Sequence, residues 1–380
     1  MSRWIFLALA VLLFALGLLN AVPSPAALPW KFAVVANSYG HWLAALAVLV
    51  AVGTWLTRGN SRGWARGGVI VAGLAAGLLA RPAVQARWLA RRLPAELTQA
   101  FGPVTLSRTP FSFADLFGGA APAANVSTRV FADGLALDFY APSAASPLGR
   151  TPPPCVVVVH GGGWDSGDKT ELAHFDRWLA SRGYAVAAIS YRLAPQFPWP
   201  APRDDTLAAI AFLKAHAGEL GFDPARLVLL GRSAGGQIAE TVAYTAHDPA
   251  IRGVVALYAP SDLAFAYAHA SENDAIHSPQ LMRQYLGGTP ESAAANYRSA
   301  SALNFVMENS PPTLLLHGQL DVLVWHRHSE RLAAALAAHR VPHAFVSLPW
   351  ATHAFEFNLA SPGGQLTTFA IEWFLAAATR

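Results

Sequence analysis

The order of apolar and polar residues divides the chain into two parts at about residue 100. Before that point, three apolar runs follow one another at residues 4–19, 32–56 and 67–80. A helix needs about 20 residues to cross the hydrocarbon core of a bilayer. The second run is therefore long enough, and the other two are marginal. Polar faces are nearly absent from all three runs, which favours three transmembrane helices over a soluble helical bundle.

Parts of this N-terminal region allow other interpretations. The first run, which follows Arg3, also has the shape of a cleaved signal peptide, but it is long for that role and two more apolar runs follow. Residues 83–100 carry three arginines beside Trp88 and Leu89. That composition predicts either a basic amphipathic helix on the membrane surface or a plain helical linker. Residues 101–125, rich in Gly, Ala, Pro and Phe, predict a linker to the following domain.

From about residue 126 the pattern changes to short apolar runs that alternate with helical stretches. Two such runs flank Asp133-Gly134, which is a strong signal for a hairpin. Residues 155–160 form an apolar run that ends at His160, as expected for a strand that is buried on both faces. This alternation predicts an α/β domain at 126–380, with a mostly parallel sheet flanked by helices. Residues 263–310 exceed an ordinary connection and predict a cap insertion over this domain.

The charges are distributed unevenly along the chain. Residues 1–100 hold nine Lys/Arg and one acid, whereas residues 101–380 hold 18 basic and 22 acidic residues. Basic residues that flank apolar runs fit a membrane segment in contact with anionic lipid. The acidic part has no basic stripe with interleaved aromatic residues, so we expect no nucleic-acid partner. We expect a membrane location, in a bacterial inner membrane, although the loop charges leave the orientation open. We favour an extracytoplasmic position for the α/β domain at 126–380.

The chain has a single cysteine, Cys155, so the fold does not depend on an internal disulfide. Cys155 lies in one of the apolar runs, and we expect it to be a buried strand residue.

The first candidate for chemistry is Gly231-Arg232-Ser233-Ala234-Gly235. This G-x-S-x-G sequence follows an apolar strand and precedes a helical stretch, which is the context that a nucleophile elbow requires. The turn is tight, so small residues must flank the serine. Ser233 is therefore the candidate nucleophile.

A glycine-rich loop, His160-Gly161-Gly162-Gly163-Trp164, follows another buried strand. Acyl transfer places negative charge on the carbonyl oxygen, and backbone amides stabilise that charge where glycines allow a close approach. The expected donors are Gly162 and Gly163, together with Ala234, the residue after the nucleophile. Trp164 is a candidate substrate contact.

A serine nucleophile needs a base and an orienting carboxylate. Of the 13 histidines, His353 lies in a loop between the last predicted strand and the last helix. Asp321 lies just past another strand end, and Asp262 is a rival acid for which a loop-fixing role fits better. The order Ser233, Asp321, His353 is the chain order of α/β-hydrolases.

Five motifs from residue 126 onwards resemble those of the esterase/lipase family that includes hormone-sensitive-lipase-like and feruloyl-esterase-like enzymes. They occur in order and at similar spacing: His160–Trp164, Ser190–Pro195, Asp223–Arg226, Gly231–Gly236 and His317–Asp321. The resemblance implies an α/β-hydrolase fold with Ser233 as nucleophile, Asp321 as acid and His353 as base. It also implies structural roles for Ser190–Pro195 and Asp205. The first 100 residues are not covered by it.

The chain departs from this family at Arg232, where many members carry Asp. We expect this cation either to contact an acidic group of the substrate or to pair with a nearby carboxylate of the protein.

These observations predict a membrane-anchored serine esterase that cleaves small-molecule or lipid esters through an acyl-enzyme, with membrane lipid as its surroundings. No metal or organic cofactor is implied, and the oligomeric state stays open. Two alternatives remain. One is a hydrolase or acyltransferase that acts on lipid-linked or peptide acyl groups. The other is a non-catalytic, membrane-tethered binding protein on the same fold.

Overall fold

The computed structural model describes residues 2–59, 62–118, 123–142 and 152–380. The N-terminal region consists of three helices, α1 (Ser2–Leu18), α2 (Ala27–Leu56) and α3 (Arg62–Phe101). Both α2 and α3 are long and apolar enough to cross a membrane, and the apolar part of α1 is shorter. Most of the residues buried where the three helices meet are alanines.

An eight-stranded sheet forms the centre of the remaining chain, in the order β1-β2-β4-β3-β5-β6-β7-β8. The first two strands form the predicted hairpin and run antiparallel to each other. The strands β3 to β8 are all parallel to one another. The predicted mostly parallel α/β sheet is therefore confirmed. The strands are β1 Val126–Ala132, β2 Leu135–Tyr140, β3 Cys155–Val159, β4 Ala185–Ile189, β5 Leu227–Arg232, β6 Ile251–Leu257, β7 Thr313–Gly318 and β8 His343–Leu348.

Helices cover both faces of this sheet. Every residue of the central strand β3 is buried, and alternate side chains enter the two opposite cores, as a period of two dictates. Cys155 is fully buried in this strand, as expected, and burial raises the pKa of its thiol far above its usual value. The helices are α4 Ala173–Ser181, α5 Ala201–Leu220, α6 Ala234–Thr245, α7 Leu263–His269, α8 Ser278–Leu286, α9 Ala294–Ala300, α10 Arg327–Ala338 and α11 Pro362–Ala378.

The third helix differs from the sequence-based expectation. It continues through Pro82 and Pro94 as one helix of 40 residues. Its second half is amphipathic, as expected, but the apolar side chains of Leu89, Leu93 and Leu97 are buried in the same core as one face of the sheet. The buried face of this half therefore covers the hydrolase core, so the packed unit includes residues before 101, and contact of its exposed face with a membrane stays a prediction.

The expected linker also packs against the catalytic domain. Phe111 and Leu116 are buried in the core, and Arg108 forms an ion pair with the buried Glu372 of α11 at 2.8 Å. Residues 119–122 of this stretch lie outside the described residues.

Candidate active site

Ser233 occupies a sharp turn between β5 and α6. Its backbone has φ 51° and ψ −121°, a strained conformation for a residue with a side chain. The positions two residues before and two residues after Ser233 tolerate only glycine. A Cβ on Gly231 would lie 2.2 Å from the Gly235 carbonyl oxygen, and one on Gly235 would lie 2.1 Å from the His160 carbonyl oxygen. The predicted elbow geometry is therefore present at Ser233.

The glycine loop after β3 lies against the same elbow. Gly162 and Gly163 both have positive φ, and a Cβ on Gly162 would lie 2.2 Å from the Ser166 carbonyl oxygen. The loop is held by a 2.6 Å hydrogen bond from the Gly161 amide to Glu171. No acceptor in the described part of the chain takes the amide protons of Gly162, Gly163 or Ala234. These three amides are available to an oxyanion.

His353 and Asp321 are joined by a hydrogen bond of 2.7 Å between Nδ1 and Oδ2. The other carboxylate oxygen of Asp321 accepts the amides of Leu323 and Val324 at 2.9 and 3.0 Å. Burial alone would raise the pKa of Asp321. The charge that His353 carries when protonated, together with hydrogen bonds from His317 and His353, outweighs burial and holds that pKa below its usual value. An ionised Asp321 keeps the proton of a neutral His353 on Nδ1 and leaves Nε2 to act as a base.

The topology explains why residues so far apart in sequence meet. Ser233 follows β5, Asp321 follows β7 and His353 follows β8, and all three strands are parallel. Their carboxyl ends therefore lie at one edge of the sheet, the edge at which α/β folds bind ligands. Between them, the ring of Tyr258, which follows β6, packs 4.1 Å from the His353 ring.

A cavity of about 480 Å³ opens beside Ser233. The glycine loop contributes Gly163 and Trp164 to it, and the predicted cap contributes Phe265 and Leu281 among others. The residues from 263 to 310 form α7, α8, α9 and a short 3-10 turn. Of these helices, α7 and α8 line the cavity, and the role of residues 263–310 as a cap stays a prediction.

Trp164 lines the cavity, and its role as a substrate contact stays a prediction. Its indole nitrogen donates to Gln237 at 3.0 Å, and its ring stacks on Tyr285 at 4.4 Å. Gln237 also accepts the Tyr285 hydroxyl at 3.0 Å. The ring is therefore held rigidly in the cavity wall.

Arg232 does not have the substrate contact that was one of its two expected roles. Its side chain is only 1% exposed, and it is absent from the cavity lining among the described residues. Its Nε lies 3.1 Å from Glu356 Oε1, and its guanidinium stacks over Phe175 at 4.4 Å. The placement fits the other expectation, a pair with a carboxylate of the protein.

The rival acid Asp262 has the structural role that was expected of it. Its side chain caps α7 by accepting the Phe265 amide at 3.0 Å and pairs with Arg331 at 2.6 Å. The two supports that the resemblance implied also interact, since Asp205 accepts the Arg192 amide at 2.8 Å.

Two contributions to the site were missed at the level of sequence. One is Glu356, whose position three residues after His353 was the only available signal. The other is the connection between α1 and α2, which contributes Pro23 and Pro25 to the cavity wall; no motif marks it. Over the described residues, no group of three or more His, Cys, Asp or Glu side chains is arranged to hold a metal ion.

The BD-FAE family profile matches residues 137–336, more than half of the chain. The protein belongs to the BD-FAE family. The BD-FAE match includes the glycine loop, Ser233 and Asp321, and it ends before His353.

Among curated proteins, the chain is 30% identical over 233 residues to the probable carboxylic ester hydrolase LipM of Mycobacterium tuberculosis, covering 59% of this chain and 54% of LipM. It is 27% identical over 231 residues to the esterase LipQ of the same organism, covering 58% and 55%. The chain therefore spans about half the length of these relatives.

Solved structures show the same fold. The crystal structure of DphMB1 has a TM-score of 0.57 at 26% identity and covers 68% of this chain and 86% of its own. A bacterial heroin esterase has a TM-score of 0.56 at 24% identity, with coverages of 70% and 88%.

Proposed function

We propose that this protein is a serine carboxylic-ester hydrolase, with Ser233 as nucleophile, His353 as base and Asp321 as orienting acid. The observation that carries the proposal is the 2.7 Å bond between His353 and Asp321 at the same sheet edge as the strained elbow of Ser233. The free amides of the glycine loop beside the elbow support it. So do the names of its relatives LipM and LipQ, an ester hydrolase and an esterase.

The reaction proceeds in two halves. In the first, Ser233 Oγ attacks the ester carbonyl while His353 Nε2 takes its proton, and the amides of Gly162, Gly163 and Ala234 bind the oxyanion. The C–O bond to the alcohol breaks, the alcohol leaves with the proton from His353, and an acyl-Ser233 ester remains. In the second half, His353 takes a proton from water, the resulting hydroxide attacks the acyl-enzyme, and the acid leaves as Ser233 regains its proton.

We further propose that the N-terminal helices anchor the enzyme in a bilayer. Small residues line the contacts between these helices: a Cβ on Gly40 would lie 2.6 Å from the Leu79 carbonyl oxygen, and one on Gly17 would lie 2.9 Å from Leu78 Cβ. Membrane helices pack in this way, with large apolar side chains turned outwards. The outward-facing residues here include Trp4, Ile5, Val11, Leu12, Val48, Leu49, Val52, Leu56, Ile70 and Leu74.

The proposed membrane is a bacterial inner membrane, with the catalytic domain on its extracytoplasmic side. Four arginines flank the helix ends that lie farthest from the catalytic domain: Arg3, Arg58, Arg62 and Arg66. At the near ends, Lys31 and Arg81 flank the apolar spans, and the other arginines of α3 lie further along the helix, beside the hydrolase core. An excess of basic residues at the far ends favours a cytoplasmic position for them. Topology reporters fused after Arg380 test the extracytoplasmic position of the catalytic domain. Activity of a reporter that works only in the cytoplasm contradicts that position.

The enzymatic proposal is tested by hydrolysis of p-nitrophenyl esters from acetate to palmitate, with the full-length protein in detergent and its Ser233→Ala variant. The full chain is needed because α3 covers the hydrolase core. We expect hydrolysis by the wild-type protein and its loss in the variant. Hydrolysis that survives in purified Ser233→Ala protein contradicts the proposal, as does a folded wild-type protein that cleaves no ester and does not react with a fluorophosphonate.

A further inference from the structure

The connection between α1 and α2 reaches the catalytic cavity. Pro23 and Pro25 line the same cavity as Ser233, together with Phe265 and Trp325. The N-terminal helices are therefore more than an anchor, because their connection shapes the space into which a substrate must fit.

This connection is held in place by buried polar side chains. Asn37 of α2 donates to Asn20 Oδ1 at 2.8 Å, and Asn20 donates to the Leu78 carbonyl of α3 at 3.3 Å. Arg81 of α3 donates to the Asn20 carbonyl. Both asparagines are buried, and buried amides that satisfy each other fix the segments they join. The position of the connection is thus set by all three helices.

Helix α2 also contacts the loop that carries the proposed base, His353. The Thr352 amide, next to His353, donates to Asn37 Oδ1 at 3.3 Å, and Asn358 donates to the Ser38 carbonyl at 3.1 Å. Asn37 therefore bonds both to the connection that lines the cavity and to the His353 loop.

An apolar stripe runs along the outer face of α2 for its whole length. Its exposed members recur every three or four residues: Leu28, Phe32, Val35, Tyr39, Trp42, Leu46, Leu49, Val52 and Leu56. From Leu28 to Leu56 the stripe extends about 42 Å at 1.5 Å per residue, against a hydrocarbon core of about 30 Å. The stripe is therefore longer than the hydrocarbon core is thick. Its first residue, Leu28, immediately follows the α1–α2 connection that lines the cavity.

The cavity wall is poor in charge. Asp274 is the one acidic residue of the lining and no Lys or Arg belongs to it, within the described part of the chain. Asp274 accepts hydrogen bonds from the backbone amides of Ile276 and Ser278, at 3.1 and 2.9 Å. Burial lowers the pKa of His328, another lining residue, to about 3, so this imidazole is neutral. Within the described part of the chain, the lining therefore offers a phosphate headgroup no Lys or Arg side chain, and its two ionisable rings are the imidazoles of His269 and His328.

We propose that the substrate is an uncharged lipid ester of the bilayer, and that one of its acyl chains passes along α2 into the cavity, where the α1–α2 connection forms one wall of the acyl site. This rests on the esterase function proposed above. Its chemical class is an acylglycerol-like ester, with a long acyl chain and no anionic headgroup.

The test uses the full-length protein in phosphatidylcholine nanodiscs that contain dioleoylglycerol. We would measure oleate release from the dioleoylglycerol and, in parallel, hydrolysis of p-nitrophenyl acetate. Pro23→Trp and Pro25→Trp place a large ring in the acyl wall. Pro29→Trp is the matched control, because it adds the same bulk at an exposed position outside the lining.

We expect the ratio of dioleoylglycerol to acetate hydrolysis to fall about tenfold or more in the wall variants, as for other changes of pocket size, and to stay unchanged in Pro29→Trp. An unchanged ratio in both wall variants overturns the proposal, as does preferential release of acyl chains from the phosphatidylcholine. If wild-type protein fails to hydrolyse even the acetate, the esterase function itself has failed, which is a separate result.

A second measurement does not depend on the folding of variants. A diacylglycerol with a photoreactive group in its acyl chain is crosslinked to the wild-type protein in nanodiscs, and the modified peptides are mapped. We expect crosslinks in residues 19–26 as well as in the cap helix α7. Crosslinks in the cap without any in residues 19–26 contradict the proposed wall.

Discussion

Arg232 and Glu356 form a buried ion pair, with 3.1 Å between Nε and Oε1, that joins the residue before the proposed nucleophile to the third residue after the proposed base. Tyr258 donates its hydroxyl to the same carboxylate, and its ring packs against His353. The pair therefore links the end of β5 to the His353 loop. In this chain, the residue before the proposed nucleophile is thus a cation that is paired with a carboxylate near the proposed base.

Breaking the pair from one side should be strongly destabilising. Glu356→Gln removes the carboxylate that pairs with the buried Arg232 guanidinium, and the loss of one partner of a buried pair costs about 3–5 kcal/mol. We expect a lower thermal unfolding midpoint and a lower kcat on p-nitrophenyl butyrate.

The double variant Arg232→Met/Glu356→Leu is the control for this prediction, because apolar side chains of similar size remove both charges at once. We expect it to recover most of the unfolding midpoint. It should recover less of kcat, since the link between the elbow and the His353 loop is still broken. A double variant as unstable as Glu356→Gln would show that the charge pairing is not the cause.

Replacement of the orienting acid should affect the rate and leave binding nearly intact. In Asp321→Asn the amide no longer favours a proton on His353 Nδ1, so the base presents the wrong tautomer. We expect kcat to fall by a factor of about 10⁴, the scale seen in serine proteases, with KM changed little. Asp262→Asn is a matched control, and we expect it to keep kcat within about threefold because this acid caps a helix. Equal losses in both variants would contradict the assignment of Asp321.

A buried acid on α6 should make stability depend on pH. Burial raises the pKa of Glu240 to about 8, whereas an unfolded chain holds Glu near about 4.3. Between these values the unfolded state releases the proton that the folded state keeps, so stability falls as pH rises from about 4.3 to 8. We expect Glu240→Gln to raise the unfolding midpoint relative to wild type, and the gain to be larger at pH 8 than at pH 5. A gain independent of pH would refute this cause.

The second half of α3 should contribute to the stability of the hydrolase domain. Leu93 is fully buried against the core, and Leu→Ala at such a site costs about 2–5 kcal/mol. Leu74 lies on the same helix but faces outwards. We therefore expect Leu93→Ala to lower the unfolding midpoint of the full-length protein and Leu74→Ala to leave it nearly unchanged. Similar midpoints in the two variants would place α3 outside the folding unit.

The fold was predictable because its signals are local. Each signal lies within a few consecutive residues: a solid apolar strand, a glycine loop and a G-x-S-x-G turn. The parallel topology then brings the ends of the strands together. The burial of α3 on the hydrolase core was not predictable in this way. Leu93 reads equally well as lipid-facing or core-facing, because both surroundings are apolar. Only the tertiary structure distinguishes them.

The residues of the candidate site also differ in whether the sequence could predict them. Ser233, Asp321 and His353 follow strands and could be proposed from position, and their catalytic roles stay predictions. Glu356 and Asn37 carry no motif, since their importance arises from partners 124 and 315 residues away in the chain. Long-range polar contacts of this kind leave no periodic trace in a sequence.

Labelling of the full-length protein with a fluorophosphonate, followed by mass spectrometry of its peptides, tests the assignment of Ser233 as the nucleophile. We expect one adduct, on the peptide that contains Ser233, which disappears in Ser233→Ala and forms much more slowly in His353→Ala. A folded protein that forms no adduct, or forms one elsewhere while ester hydrolysis survives in Ser233→Ala, would contradict it.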